Sequence, residues 1–279
     1  MAEKSEWRGR VGNSWATEYR RTDRSFTHLT EHLLASTRAF RFERVLDIGC
    51  GAGELSLAIA RGRPDAMVTG IDISPDLIET AEQRGRDLPN CEFVLADASE
   101  WTTSTQPDLL VSRHGVMFFD DAAAAFGHLA AQAESGASLM FSCFRSMKEN
   151  PVFSEVIRLL PELPSPEDPH APGPFAFADP DHVRAILVSG GWSDIAIKPF
   201  DFPMIAGAGQ DAVEDAVGYF RRIGPAAKAA RSMDLPTRDR FFDRIRSMAT
   251  RFHHDGLVAL PAAAWIVTAR KATSAQPPH

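Results

Sequence analysis

The sequence predicts an α/β protein built on a parallel sheet with helices on both faces. Between about residues 40 and 145, short apolar runs alternate with amphipathic helix-length segments, the pattern of right-handed βαβ units. The first run ends in a glycine-rich turn, Val45-Leu46-Asp47-Ile48-Gly49-Cys50-Gly51-Ala52-Gly53. Asp47, Asp72 and Asp97 stand at the ends of three consecutive runs, and strand ends of this kind line the ligand crevice of open α/β sheets.

The elements follow in order. The stretch to about Arg24 is charged but carries Trp7, Trp15 and Tyr19, and Phe26, Leu29, Leu33 and Leu34 then recur at helical spacing with Ser25 as the expected N-cap. Residues 44–48 read as a strand and 54–61 as a helix; 67–71 is the next strand, and 75–85 a helix capped by Ser74 with Pro75 at its first position. Strands are expected at 92–95 and 109–112, an alanine-rich helix at 121–133 and a fifth strand at 138–144. Beyond Phe144 come a helix over 150–160, a proline-rich lid and a helix over 179–189 capped by Asp179. The remainder reads as a strand over 192–200, helices over 209–254 and a final strand over 262–271.

Composition bounds the function. A chain of 279 residues, 44% hydrophobic and 24% charged, has enough length for a full core without staples. Its net charge of −7 lacks the basic footprint of a general nucleic-acid binder. Three scattered cysteines form no disulfide framework and fit a reducing cytoplasm. The polar start MAEKSEWRGR carries no signal peptide, and no stretch approaches the roughly 18 apolar residues of a membrane span. The expectation is a soluble cytoplasmic protein with no nucleic-acid or membrane partner.

The glycine turn carries the chemistry. Glycines at a strand-to-helix turn let the backbone approach a ligand, and the helix start offers free N–H groups. The spacing is GxGxG, with Glu54 where the third glycine of a dinucleotide motif would fall. Asp47 beside it would repel a pyrophosphate and suits a ligand bearing an ammonium group. Asp72, at the ribose-facing position, can accept from both hydroxyls of a nucleoside, while Asp97 and the backbone of Ala98 can frame an adenine edge.

With these motifs the chain resembles the class I S-adenosylmethionine-dependent methyltransferases. VLDIGCGAG, GIDIS, LADA and the strand DLLVSR leading into HGVMFF are similar to the four motifs of that family. More narrowly the chain looks like the quinone- and trans-aconitate-type small-molecule branch. The resemblance implies a Rossmann-like seven-stranded sheet of order 3-2-1-4-5-7-6, its last strand antiparallel, with helical lid insertions. It implies an N-terminal cap over 1–40, a cofactor-binding core over 41–145 and a lid over 146–178. The rest of the core would span 179–271, with a helical insertion at about 205–258, before a disordered tail at 272–279.

By the same resemblance Asp47 and Gly49 would contact the methionine moiety, with Cys50 in the turn that Gly51 and Gly53 shape. Asp72 would hold the ribose, Ile73 would pack on adenine, and Asp97 and Ala98 would bind its edge. Ser112 or Arg113 would meet the amino group through the backbone after the fourth strand, and Trp15 and Tyr19 would close over the cofactor. The implied reaction moves a methyl from S-adenosylmethionine to a small, apolar or aromatic acceptor by in-line displacement, leaving S-adenosylhomocysteine. Two alternatives stand beside it: a nicotinamide-dependent oxidoreductase, disfavoured by GxGxG with Asp47, and a non-catalytic binder of the same nucleoside.

His114, directly after the fourth strand, is the candidate general base, or it fills an aromatic packing role. Met117, Phe118 and Phe119 either line an acceptor pocket or pack the following helix. His170, Phe175 and Phe177 mark the lid. His28-Leu29-Thr30-Glu31-His32 matches the HxxEH string of a zinc site without a third ligand to complete it, and His253-His254 would point opposite ways. No metal is expected.

Overall fold

The computed structural model describes residues 4–162 and 168–272. The chain opens with four helices, α1 (Lys4–Trp7), α2 (Arg10–Thr17), α3 (Tyr19–Ser25) and α4 (Thr27–Ser36). The alternating region follows as β1 (Arg44–Ile48), α5 (Glu54–Gly62), β2 (Met67–Asp72), α6 (Pro75–Gly85), β3 (Cys91–Leu95) and β4 (Leu109–Arg113), then α7 (Ala122–Gln132) and β5 (Ser138–Phe144). After β5 come α8 (Pro151–Arg158), α9 (Pro180–Ser189), β6 (Trp192–Ala208), α10 (Ala212–Arg222), α11 (Gly224–Ala230), α12 (Leu235–Arg251), β7 (His253–His254) and β8 (Leu257–Lys271).

The sheet runs β3-β2-β1-β4-β5-β8-β6, with β8 antiparallel to both β5 and β6. This is the expected order with one addition: β7 pairs with β8, so the sheet has eight strands rather than seven. The central strands β1, β4 and β5 are mostly apolar and buried, and β5 is buried at every residue, as a parallel sheet covered on both faces requires. Ser74 caps α6 by accepting the Leu77 N–H, and Asp121 and Asp179 cap α7 and α9 in the same way.

Three local expectations change. Ser25 closes α3 instead of opening a helix, and its hydroxyl donates to the Arg21 and Ile205 carbonyls at 2.8 and 3.1 Å. β6 continues past Phe200 to Ala208. Its prolines, Pro199 and Pro203, are tolerated because β6 is an edge strand with one side unpaired. The late helical segment stops at Arg251, because Asp255 and Gly256, with φ of 47° and 75°, turn β7 back onto β8. Two successive left-handed residues make the tight hairpin that an Asp-Gly pair favours. Of the expected tail, only Ala272 lies within the described residues, as does most of the lid apart from 163–167.

Candidate active site

A cavity of about 940 Å³ opens beyond the C-terminal ends of β1 to β4, near the top of the roughly 300–1,000 Å³ range of small-molecule sites. Its floor is the glycine turn after β1, where Gly49, Gly51 and Gly53 have φ of 65°, 56° and 83°. Side chains are strained at such angles, so glycine is required there. The Gly51 N–H donates to Asp72 Oδ2 and the Ser74 N–H to Asp72 Oδ1, both at 2.9 Å. Asp72 thus braces the turn from the next strand, while each oxygen keeps a second acceptor position. Burial pushes its carboxyl up, and the N–H groups of Ser74 and Gly51 pull it back.

Asp47 lies deeper, 1% exposed. Ser56 donates to its Oδ2 at 2.6 Å, and Oδ1 has no partner among the described residues. Burial pushes its carboxyl up to about 6, against the pull of Ser56 and Arg113. An unpartnered buried carboxylate oxygen is costly and fits a cationic ligand group. Asp97 sits at the far strand end, taking the Ser99 N–H and hydroxyl on Oδ1 and Lys4 Nζ on Oδ2 at 2.9 Å. Its burial favours the neutral acid, but Ser99 and Lys4 outweigh that and hold it below the usual carboxylate range.

The loop after β4 forms the opposite wall. Ser112 lies outside the cavity lining; its hydroxyl donates to the Ile48 carbonyl at 2.7 Å and accepts the Gly115 N–H at 3.1 Å, tying the two loops together. Gly53 likewise sits behind the lining, at the start of α5 against Phe93. Cys50, Ile73, Ala98, Arg113, Trp15 and Tyr19 all face the cavity.

His114 has a left-handed backbone (φ 58°) and lies flat on Phe144, ring centroids 4.1 Å apart, with Phe26 edge-on at 5.3 Å. Among the described residues neither ring nitrogen has a hydrogen-bond partner. Burial, helped by Arg113 next to it, pushes the imidazole down to about 3. A ring so disposed is uncharged at neutral pH and a weak base, which favours the aromatic packing role.

Thr30, Asp23, Arg84 and Lys4, which had no signal in the sequence as site residues, join Arg113 and Tyr19 here. Arg113 donates to Thr30 Oγ1 at 2.6 Å and faces Asp23 at 3.7 Å. Asp23 in turn pairs with Arg84 at 2.7 Å, which also reaches Glu54 at 2.8 Å, the Ala52 carbonyl at 2.6 Å and the face of Tyr19. Burial pushes Asp23 up to about 6, whereas Glu54, despite its burial, is held low by Asp23, Arg113 and Arg84. This cluster fastens the N-terminal helices to the glycine turn. Lys4 and Trp7 join the wall as well, Trp7 packing edge-on against Trp15 and Phe118. The partners of each lie far apart in the chain, so no local pattern announces them.

Phe118 and Phe119 line the cavity with Met117, and so do Phe175 and Phe220. Phe177, Phe241 and Phe242 are core residues. The His170 ring lies tilted against that of His182, centroids 3.8 Å apart. Among the described residues no group of three or more His, Cys, Asp or Glu side chains is placed to hold a metal. His32 of the HxxEH string lies against Phe200, its ring centroid 4.0 Å away. Among the described residues no helix is long and apolar enough to cross a membrane.

Residues 41–168 match a family described as a methyltransferase domain. The chain is 28% identical over 211 residues to a trans-aconitate 2-methyltransferase of Methylobacterium radiotolerans, covering 75% of this chain and 66% of that protein. It is 30% identical over 119 residues to a malonyl-[acyl-carrier protein] O-methyltransferase of Ilyobacter polytropus, covering 43% of this chain and 44% of that one. The chain therefore spans less than two thirds of the length of these relatives. Among solved structures, the magnesium protoporphyrin IX methyltransferase of Synechocystis, with bound SAH, superposes with a TM-score of 0.57 at 16% identity, covering 96% of this chain and 98% of that one. At that identity the likeness is one of fold.

Proposed function

On a chain whose residues 41–168 match a methyltransferase domain, we propose an S-adenosylmethionine-dependent methyltransferase of a small acceptor with an apolar or aromatic body. The observation that carries this reading is the buried Asp47, with one unpartnered carboxylate oxygen beside three left-handed glycines. A pyrophosphate would be repelled there, and an amino-acid ammonium would complete the site. Asp72 and Ile73 are assigned to the ribose and adenine, and Asp97 with Ala98 to the adenine edge, where Lys4 would have to share Asp97.

When bound, S-adenosylmethionine would supply a methyl on a cationic sulfonium for in-line transfer. The task of the protein is then proximity, alignment and exclusion of water. Phe144 and Phe175 form apolar walls, and Trp7 and Trp15 close the cavity from the N-terminal side. The Arg113 guanidinium is engaged by Thr30 and Asp23. No general base is assigned: His114 is read as a wall of the acceptor pocket, too weak a base to collect a proton at neutral pH. The free thiols of Cys50, Cys91 and Cys143 support a cytoplasmic setting.

Calorimetric titration with S-adenosylhomocysteine, NAD and the Asp72→Ala variant tests the reading. Binding of the thioether to the wild type, its loss in the variant and no binding of NAD is the expected result. Binding of NAD alone would turn the assignment toward a dehydrogenase.

A further inference from the structure

Charge along the cavity is partly sorted, the cations at its floor end, Lys4 and Arg113, being paired with Asp97 and Asp23. Asp47, Asp72 and Asp97 occupy the strand-end floor, whereas Arg222, Lys228 and Arg231 line the same cavity from α10 and the segment around α11. These three are exposed, which places them at its mouth. Between the two ends the walls are apolar: α8 supplies Phe153 and Ile157, and α10 and the residue after it supply Phe220 and Ile223. α11 packs against α8, so the cationic lip sits over this apolar stretch. Arg222 pairs with Glu18 at 3.0 Å, but Glu18 is already shared with Arg21 at 2.7 Å. Arg231 has no hydrogen-bond or ion-pair partner for its guanidinium among the described residues. Asp168, on the lid, is an acid of the same lining.

Apolar walls ending in a cationic lip match one kind of occupant. We propose that the methyl acceptor is an anionic amphiphile: an apolar body fills the stretch between α8 and α10, and an acid group is held at the mouth by Arg231, with Arg222 and Lys228 adding to the field. This rests on the assignment of the acidic floor to the methyl donor, and it deepens that reading by giving the acceptor a polarity and a direction. The acid group recognises the lip, so the reacting atom is at the other end of the molecule, toward the floor. Arg is suited to this task because its planar fork matches a carboxylate or sulfonate in two hydrogen bonds.

The test uses two fluorescent probes of similar aromatic body, the anionic 1-anilinonaphthalene-8-sulfonate and the neutral N-phenyl-1-naphthylamine. Each is titrated into the full chain in the presence of S-adenosylhomocysteine, whose own affinity is measured in parallel. The wild type is expected to bind the anionic probe about tenfold tighter than the neutral one, with a preference that shrinks as salt is raised. Arg231→Glu should abolish the preference without changing neutral-probe binding, and Arg231→Lys should restore part of it. Equal affinities for the two probes, no binding of either, or a preference untouched by Arg231→Glu would overturn the proposal. If S-adenosylhomocysteine fails to bind while the Arg231-dependent preference persists, the donor assignment falls and the anion-recognising mouth stands.

Discussion

Gly49 and Gly115 face each other so closely that a Cβ on Gly49 would lie 2.9 Å from the Gly115 Cα. The loops after β1 and β4 meet backbone to backbone there, and Ser112 stitches them together. The cavity floor depends on this contact.

A methyl group at Gly115 is the direct probe. Its Cβ would lie 2.5 Å from the Ile48 carbonyl oxygen and 2.8 Å from Ser112 Oγ, and the first of these is backbone that cannot swing aside. Gly115 itself has an ordinary φ of −93°, so the effect would come from crowding alone. Gly115→Ala should destabilise the protein by about 1–3 kcal/mol in urea unfolding and weaken S-adenosylhomocysteine binding more than tenfold. Wild-type affinity in that variant would show that the loop contact is not needed by the site.

Asp47 should trade stability for binding. Its carboxyl is raised from 3.8 to about 6, so the folded state holds the proton to higher pH than the unfolded chain does. The penalty for ionising it is therefore absent below about pH 4 and grows as pH rises through about 6. Asp47→Asn should be about 1–2 kcal/mol more stable than the wild type at pH 7, the unpaired amide hydrogens of Asn forfeiting part of the gain. As pH falls from about 6 toward about 4 the advantage should shrink and then reverse, because the amide penalty remains after the ionisation penalty has gone. The same variant should lose S-adenosylhomocysteine binding, and paired melting and calorimetric curves against pH would check both halves.

His114→Phe separates packing from base catalysis. A positioned general base contributes on the order of 10²–10⁴-fold in rate. With the imidazole pushed down to about 3 and stacked on Phe144, the variant should keep kcat within about tenfold of the wild type, well short of a base's contribution. The wild-type rate should show no histidine titration between about pH 6 and 8. A hundredfold fall in kcat with KM unchanged would instead identify His114 as the base.

Arg84 clamps the N-terminal helices. Removing its guanidinium in Arg84→Met would strand Asp23 and Glu54 together, both largely shielded from water. Loss of one partner of such a network costs about 3–5 kcal/mol when fully buried; with Arg84 18% exposed, about 2–3 kcal/mol is expected. The loss should be greatest near neutral pH and smaller near pH 5, where Asp23, with its carboxyl at about 6, takes up a proton and relieves the repulsion. Urea denaturation at the two pH values measures it.

Much of this was legible in the sequence because its causes are local. The alternation of apolar runs and helical segments, the caps at Ser74, Asp121 and Asp179, and the GxGxG turn all depend on residues within a few positions of each other. The Asp255-Gly256 hairpin is local too, but the helical spacing of the residues before it masks the strand at His253–His254. The three acids could be placed at strand ends because β-strand length and βα connection length fix where a chain segment emerges from a sheet.

The tertiary structure decided what those residues touch. Asp47 and Asp72 look equivalent in the sequence, yet Asp72 accepts a backbone N–H on each oxygen and Asp47 keeps an oxygen without a partner among the described residues. His114 could be a base or a wall until Phe144, Phe26 and Arg113 surrounded it. The sorting of acids to the floor and cations to the mouth also needed the fold, because α10 and α11 reach the cavity from far along the chain. The sequence alone determined the sheet, the turn and the chemical character of the floor, since backbone preference and apolar period act over a few residues. Desolvation and pairing act through space, so only the folded chain could decide which of its charged groups were left open to a ligand.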